Sequence, residues 1–166
     1  MRRFPYHSRG FTLIELMIVI AIIAIIAAIA IPNLIASRKI ANETSALSAL
    51  RTVSTAQAIF RENDRENDGN LDYAMLSELG SNGLLLDTVL GSGTRQGYYF
   101  SAGYSTTSSE FLWFGTTFPQ LPGHSGDRYF ATNHTGVLFY TTGSTFFLDV
   151  GTCVLPGTTG AIITGK

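Results

Sequence analysis

The sequence has little cysteine, little charge and few histidines. Cys153 is the single cysteine, which excludes an intrachain disulfide and a cysteine-based metal or redox centre. Only 14% of the 166 residues are charged, with 11 Lys and Arg against 12 Asp and Glu. No basic stripe is visible, so we expect no nucleic-acid partner. His7, His124 and His134 are scattered along the chain, which argues against a zinc site.

Patterns that carry catalysis are missing as well. The sequence contains no nucleophile elbow, phosphate-binding loop or dinucleotide-binding fingerprint. We therefore expect a protein that is not an enzyme and has no organic cofactor.

One long apolar run stands out against this background. Residues 11–31 contain a single ionisable side chain, that of Glu15, and as a helix they would span roughly 30 Å, enough to cross a bilayer. Arg2, Arg3 and Arg9 precede the run and favour a cytoplasmic N-terminus with the rest of the chain outside. The sequence thus predicts a single-pass membrane protein.

Two ordinary readings of this run fit its edges poorly. A secretory signal peptide has an apolar core of about 7–15 residues followed by a small-residue cleavage site, whereas here the small residue, Gly10, comes before the run. A plain signal anchor gains little from Glu15, since a carboxylate inside a membrane helix costs about 2.5–3.5 kcal/mol. Cleavage after Gly10 would create a positive α-amino group at Phe11, one helical turn before Glu15. This amine could pair with Glu15 of the same chain or with the Glu of an adjacent helix.

The segment Gly-Phe-Thr-Leu-Ile-Glu at residues 10–15 resembles the prepilin cleavage and methylation motif of type IV pilins and type II secretion pseudopilins. The resemblance implies cleavage by a prepilin peptidase between Gly10 and Phe11 and N-methylation of Phe11. It implies that Glu15 sets the registry of subunits during assembly. The implied partners are other pilins or pseudopilins in a helical filament, the peptidase, an assembly platform in the bacterial inner membrane, and membrane lipid before assembly.

Three segments follow from this interpretation: a cleaved leader at residues 1–10, a transmembrane and filament-core helix at residues 11–32, and an extracytoplasmic domain at residues 33–166. Pro32 predicts a kink, because proline lacks the amide donor and its ring crowds the preceding turn. Removing the leader lowers the basic count from 11 to 8 against 12 acidic residues, so the mature chain is mildly acidic.

The helix is predicted to continue as an amphipathic helix to about Arg61. The residues of its buried stripe recur at spacings of three and four and are Ala46, Leu50, Val53, Gln57 and Phe60. The opposite, solvent-facing side is predicted to carry Glu43, Ser45, Thr52 and Thr55.

A short helix at residues 73–79 and a helix or turn at residues 84–90 precede a strand-rich half. Strands are predicted at residues 98–102, 111–115, 128–131, 137–140 and 146–150, with a hairpin link at residues 133–136. This order predicts an α+β fold in which the long N-terminal α-helix packs on a small antiparallel β-sheet. Trp113 and its aromatic neighbours are expected in the core of that sheet rather than in a ligand groove.

An acidic segment at residues 62–72 partly matches a calcium-binding loop. Asp64, Glu66, Asp68 and Asn70 stand at alternate positions with Gly69 at the sixth, but the position of the bidentate Glu holds Met75. We expect a solvated acidic loop, with Ca²⁺ as the alternative.

We expect a structural subunit of a type IV pilus-like filament. Within that class a type II secretion pseudopilin that drives protein export is favoured, because many true pilins close a C-terminal loop with a cysteine pair and this chain has one cysteine. The alternatives are a true type IV pilin, including a minor one, for adhesion, motility or DNA uptake, and a membrane-anchored ligand-binding domain.

Overall fold

The computed structural model of the chain describes residues 10–65, 67, 69–85, 87–143, 153 and 161–162. These residues form two units, of which the first ends at Ser37 and the second begins at Arg38. The helices are α1 (Leu13–Glu62), α2 (Leu76–Ser81) and α3 (Thr88–Gly91). The strands are β1 (Thr94–Arg95), β2 (Tyr98–Tyr104), β3 (Trp113–Pro119), β4 (Arg128–Asn133), β5 (Leu138–Thr142) and β6 (Ala161–Ile162).

The first unit is an apolar helical segment without a core of its own. Every residue from 10 to 37 is exposed except Ala27, which is half-buried. In the described part of the chain, α1 is the helix whose length and apolar composition suffice to cross a membrane. A run of exposed Ile, Leu and Val of this length is costly in water, so the segment requires lipid or other protein chains around it.

The second unit holds the hydrophobic core, which lies between the later part of α1 and the sheet. The buried residues of α1 are Glu43, Ala46, Ala49, Leu50, Val53, Ala56, Gln57 and Phe60. Their spacing of three and four confirms the predicted amphipathic stripe. At Gly115 on β3 a Cβ would lie 3.2 Å from the Trp113 ring, so the small residue chiefly leaves room for the tryptophan side chain beneath the helix.

One residue of this helix was placed on the wrong side by the sequence. Glu43 was predicted among the solvent-facing polar residues, but it is 6% exposed and belongs to the buried stripe. The reason is that its partners are residues 127 and 128, more than 80 positions away, which helical periodicity alone cannot reveal.

The sheet confirms the predicted α+β class and antiparallel meander. Its strand order is β1-β2-β3-β4-β5-β6, and every neighbouring pair is antiparallel. The predicted strands at 98–102, 128–131 and 137–140 correspond to β2, β4 and β5. The strand predicted at 111–115 is β3, which begins at Trp113 because residues 108–112 form a turn in which the amides of Phe111 and Leu112 bond to Ser108 O. The strand predicted at 146–150 lies outside the described residues.

Two hairpin links determine the register at the ends of β2 and β4. Gln96 and Gly97 both have positive φ, as a two-residue type I′ turn between antiparallel strands requires. The predicted link at 133–136 is confirmed: the Gly136 amide donates to Asn133 O at 2.9 Å, and Gly136 has φ +72°.

Helix α2 begins at Leu76, three residues later than predicted. The amide of Tyr73 donates to Ser109 O and the amide of Ala74 donates to Gln57 Oε1, so both groups are paired outside the helix. These tertiary contacts hold residues 73–75 in an extended form that helical periodicity did not indicate.

Candidate functional site

The predicted cleavage and methylation motif forms the N-terminus of α1. Thr12 precedes the helix, and its amide and hydroxyl both donate to Glu15 Oε2, at 2.8 and 2.7 Å. The Glu15 amide in turn donates to Thr12 Oγ1 at 3.2 Å. This reciprocal arrangement is a capping box, in which the residue before the helix and the third helical residue satisfy each other's free amides.

The capping box identifies a residue that the sequence interpretation overlooked. Thr12 was quoted as part of the motif but was given no role, although the Thr-x-x-Glu spacing is the ordinary signal of a capping box. The chain described here retains the residues before Phe11, so the Phe11 nitrogen is a peptide amide and not an amine. Pairing of Glu15 with a free α-amino group therefore stays a prediction for the cleaved chain.

The two residues at the predicted cleavage site are accessible. Phe11 is 82% exposed, and among the described residues beyond its chain neighbours no atom lies within 4 Å of the position that a Cβ on Gly10 would occupy. Access to this peptide bond is a condition that a peptidase needs, and the described residues meet it.

Pro32 lies inside α1, which is helical on both sides of it. Proline has no amide to donate to the carbonyl four residues earlier. Asn33 Nδ2 donates to Ile29 O at 3.1 Å, and Ser37 Oγ donates to Asn33 O at 2.9 Å. These side chains add hydrogen bonds to carbonyls on both sides of the proline. The kink predicted at Pro32 stays a prediction.

The acidic loop after α1 is closed partly by its own groups. The Gly69 amide donates to Asp64 Oδ2 at 3.1 Å, and the Asn67 amide donates to Asp64 O at 2.9 Å. Two of the four predicted calcium ligands, Glu66 and Asp68, lie outside the described residues. Within the described ranges no three His, Cys, Asp or Glu side chains come together. Calcium binding by Asp64, Glu66, Asp68 and Asn70 therefore stays a prediction.

Trp113 lies in the core, as predicted. It is 3% exposed, and its ring lies 6.2 Å from the ring of Tyr73.

The cleft of about 260 Å³ beside Thr52, Leu85 and Arg95 is smaller than most pockets that hold small ligands. Buried side-chain nitrogen and oxygen atoms among the described residues all have hydrogen-bond partners.

A polar cluster on the second unit was missed altogether by the sequence interpretation. Glu43 Oε1 accepts from the amides of Asp127 and Arg128, at 2.9 and 3.3 Å. Glu43 Oε2 accepts from Arg128 Nε at 2.7 Å in an ion pair. A nearly buried carboxylate is tolerated only with such partners, because its desolvation is expensive.

Neighbouring residues extend this cluster along the helix and into the sheet. Lys39 Nζ lies 3.2 Å from Asp127 Oδ2, and Asn42 Nδ2 donates to Ser125 O at 2.9 Å. The fully buried Tyr98 donates its hydroxyl to Arg128 O at 3.0 Å. Burial raises the pKa of Tyr98 well above its usual range, and the negative charge of Glu43 adds to the shift.

The fold and the motif together define a class of protein: an α+β domain carried on an exposed apolar helix that begins with a capped Phe-Thr-x-x-Glu segment. Residues 6–31 match the family model described as the prokaryotic N-terminal methylation motif. The chain is 36% identical over 111 residues to the type IV wide pilus major component PilA4 of Thermus thermophilus, an alignment that covers 67% of this chain and 82% of that protein. The chain belongs to the type IV pilin family.

A second relative matches over a shorter length. The chain is 46% identical over 80 residues to the type IV major pilin protein PilA of Myxococcus xanthus. This alignment covers 48% of the chain but only 36% of the length of the Myxococcus protein. No solved structure matches the chain significantly.

Proposed function

We propose that this chain is the structural subunit of a type IV pilus-like filament, stored in the bacterial inner membrane before assembly. The observation that carries the proposal is the exposed apolar segment at residues 11–35, which begins with the methylation motif. Contacts between the apolar segments of many copies would replace their contacts with lipid. The N-terminus lies in the cytoplasm and the second unit outside the membrane.

Processing precedes assembly in this proposal. A prepilin peptidase cuts the accessible peptide bond between Gly10 and Phe11, and the new Phe11 amine is methylated. The amine then competes with Thr12 for the carboxylate of Glu15, or pairs with the Glu15 of an adjacent copy, which sets the stagger between helices. An inner-membrane assembly platform supplies the surface on which subunits are added.

A pilus is favoured over a secretion pseudopilus for the assembled fibre. Both relatives are named as major components of type IV pili, and this supports a pilus subunit for the present chain. The pseudopilin alternative rests on the lack of a cysteine pair, since Cys153 has no second cysteine with which to close a loop. Deletion of the gene separates the two: loss of surface fibres supports a pilin, and loss of protein export with fibres intact supports a pseudopilin.

Substitutions at the motif test the filament proposal directly. Gly10→Val is expected to block processing, because a side chain at the cleavage site obstructs the peptidase, and the uncut precursor accumulates. Glu15→Ala is expected to leave cleavage intact and to abolish fibres, since the carboxylate that sets the stagger is gone. Mass spectrometry of the purified chain reports cleavage, and immunoblotting of sheared surface fibres reports assembly.

Glu62→Ala is the matched control. It removes an exposed carboxylate from the other end of the same helix and is expected to alter neither readout. Fibres at wild-type level from the Glu15→Ala chain would refute the role proposed for Glu15. Wild-type cleavage of the Gly10→Val precursor would show that processing happens elsewhere.

A further inference from the structure

We propose that the contacts of Lys39, Asn42 and Glu43 with the loop between β3 and β4 (residues 120–127) and with Arg128, the first residue of β4, form a latch. The latch determines where along α1 the helix begins to be stabilised by contacts with the rest of the second unit. This inference concerns the second unit alone and does not depend on filament assembly.

The positions of the three helical residues support a dedicated contact. Residues 39, 42 and 43 are spaced by three and one, and the buried stripe continues from Ala46 with the same periodicity. The latch is therefore the N-terminal extension of the core stripe. Its residues are polar because they meet main-chain amides, a main-chain carbonyl and the charged side chains of Asp127 and Arg128, whereas most later residues of the stripe pack in the hydrophobic core.

The loop is itself built to present these main-chain groups. Ser125 Oγ accepts from the amide of Leu121 at 3.1 Å, and the amide of Gly123 donates to Gly126 O at 3.1 Å. Gly126 packs directly on the hydroxyl of Tyr98, which would collide with any Cβ at that position. The loop is thus held in shape by its own hydrogen bonds and by the core, and the helix binds a preformed surface.

Helical residues before the latch have no comparable support. Residues 28–38 are all exposed, and Pro32 removes one backbone donor among them. Helical segments without tertiary contacts open at low free-energy cost, while those packed in a core open only with the whole domain. Among the described residues of α1, the transition between these two regimes falls at Lys39, where the helix forms an ion pair with Asp127.

Hydrogen–deuterium exchange on the full chain in detergent micelles tests the latch. In the Glu43→Gln chain we expect peptides covering residues 39–45 to exchange about tenfold faster than in the wild type, because a charged acceptor of three hydrogen bonds becomes a weaker one. Peptides covering residues 49–60 should change less than about twofold, since the apolar core remains closed. The amides of Asp127 and Arg128 should also lose protection.

Two further variants make the result decisive. Asn42→Ala removes one latch contact and should accelerate the same peptides by a smaller factor. Glu62→Gln removes an exposed carboxylate of the same helix and should leave exchange at residues 39–45 unchanged. Unchanged exchange at residues 39–45 in both latch variants would overturn the proposal. A uniform acceleration across the whole second unit would overturn it too, because Glu43 would then support the global fold and not a local boundary.

Discussion

Gln57 offers a sharp test of how α1 is attached to the rest of the second unit. Its side chain is 0% exposed, although it carries an amide. Its Nε2 donates to Ala74 O at 2.6 Å, and its Oε1 accepts from the Ala74 amide at 2.9 Å. Both groups of this side chain are therefore used to hold the extended residues before α2 against the helix.

Gln57→Leu keeps the approximate volume and removes both hydrogen bonds. The amide and carbonyl of the fully buried Ala74 are then left without partners, and each unsatisfied group costs about 1–3 kcal/mol. We expect a loss of about 2–5 kcal/mol in the free energy of unfolding, a large share of the roughly 5–15 kcal/mol of an ordinary domain.

Gln57→Glu turns the same contact into a pH-dependent one. The protonated carboxyl can donate to Ala74 O and accept from the Ala74 amide, so it reproduces both bonds. The ionised form cannot donate, and its charge would face a carbonyl in a buried site, which raises the pKa of the introduced carboxyl in the folded state. The protonated carboxyl supports the fold fully below its pKa in the unfolded state, which is about 4.3. Between that pKa and the higher pKa of the folded state, the free energy of unfolding falls by about 1.4 kcal/mol per pH unit.

Urea unfolding followed by fluorescence of the single tryptophan, Trp113, measures these changes on the chain in detergent. The variant Gln57→Glu should match the wild type near pH 4 and unfold at much lower urea at pH 7. Gln120→Glu, which places a carboxyl on an exposed residue, should show no such difference. If Gln57→Glu is as stable as the wild type at pH 7, the amide is not confined as described and the reasoning is wrong.

Two further predictions concern the contact between the β3–β4 loop and the sheet. Gly126→Ala should destabilise the chain by about 2–4 kcal/mol in the same urea assay, because the new Cβ collides with the hydroxyl of Tyr98, whereas Gly103→Ala, which meets only the edge of a phenyl ring, should cost less than about 1.5 kcal/mol. Since the pKa of Tyr98 is raised in the folded state, its contribution is complete below about pH 10 and is lost as the pH rises further. Tyr98→Phe should lose about 1 kcal/mol at pH 8 and show a shallower alkaline decline than the wild type, and equal slopes would contradict this assignment.

Much of this fold follows from patterns that are local in sequence. The buried stripe of α1 is periodic over several turns, and the strands β2, β4 and β5 are rich in aromatic residues and lie between turn residues, so the stripe and these strands can be predicted from the sequence. The strands β1 and β6 have two residues each, too few to show any alternation. The late start of α2 depends on Gln57, which lies 17 residues from Ala74, and no local pattern reports such a pairing.

The N-terminal motif could be predicted from the sequence and the polar cluster around Glu43 could not, again because one pattern is local and the other is not. Gly10, Phe11 and Glu15 could be predicted as site residues because their spacing and the apolar run after them are local, and the capping role of Thr12 could have been found from its spacing to Glu15. Glu43 was misplaced because a carboxylate followed by Thr44 and Ser45 has every appearance of a solvated face. Its burial is decided by an arginine 85 residues later.

Two carboxylates on one helix can thus have opposite roles. Glu15 is bonded to Thr12, three residues away, and exchanging that partner for an amine disturbs only one helical turn. Glu43 is bonded to groups 84 and 85 residues away, and none of these bonds can break without exposing a nearly buried charge. A change of partner during assembly therefore fits Glu15 and not Glu43. For the same reason, substitutions at Glu15 should alter fibre formation with little effect on unfolding, whereas substitutions at Glu43 should lower the local stability of α1 at residues 39–45.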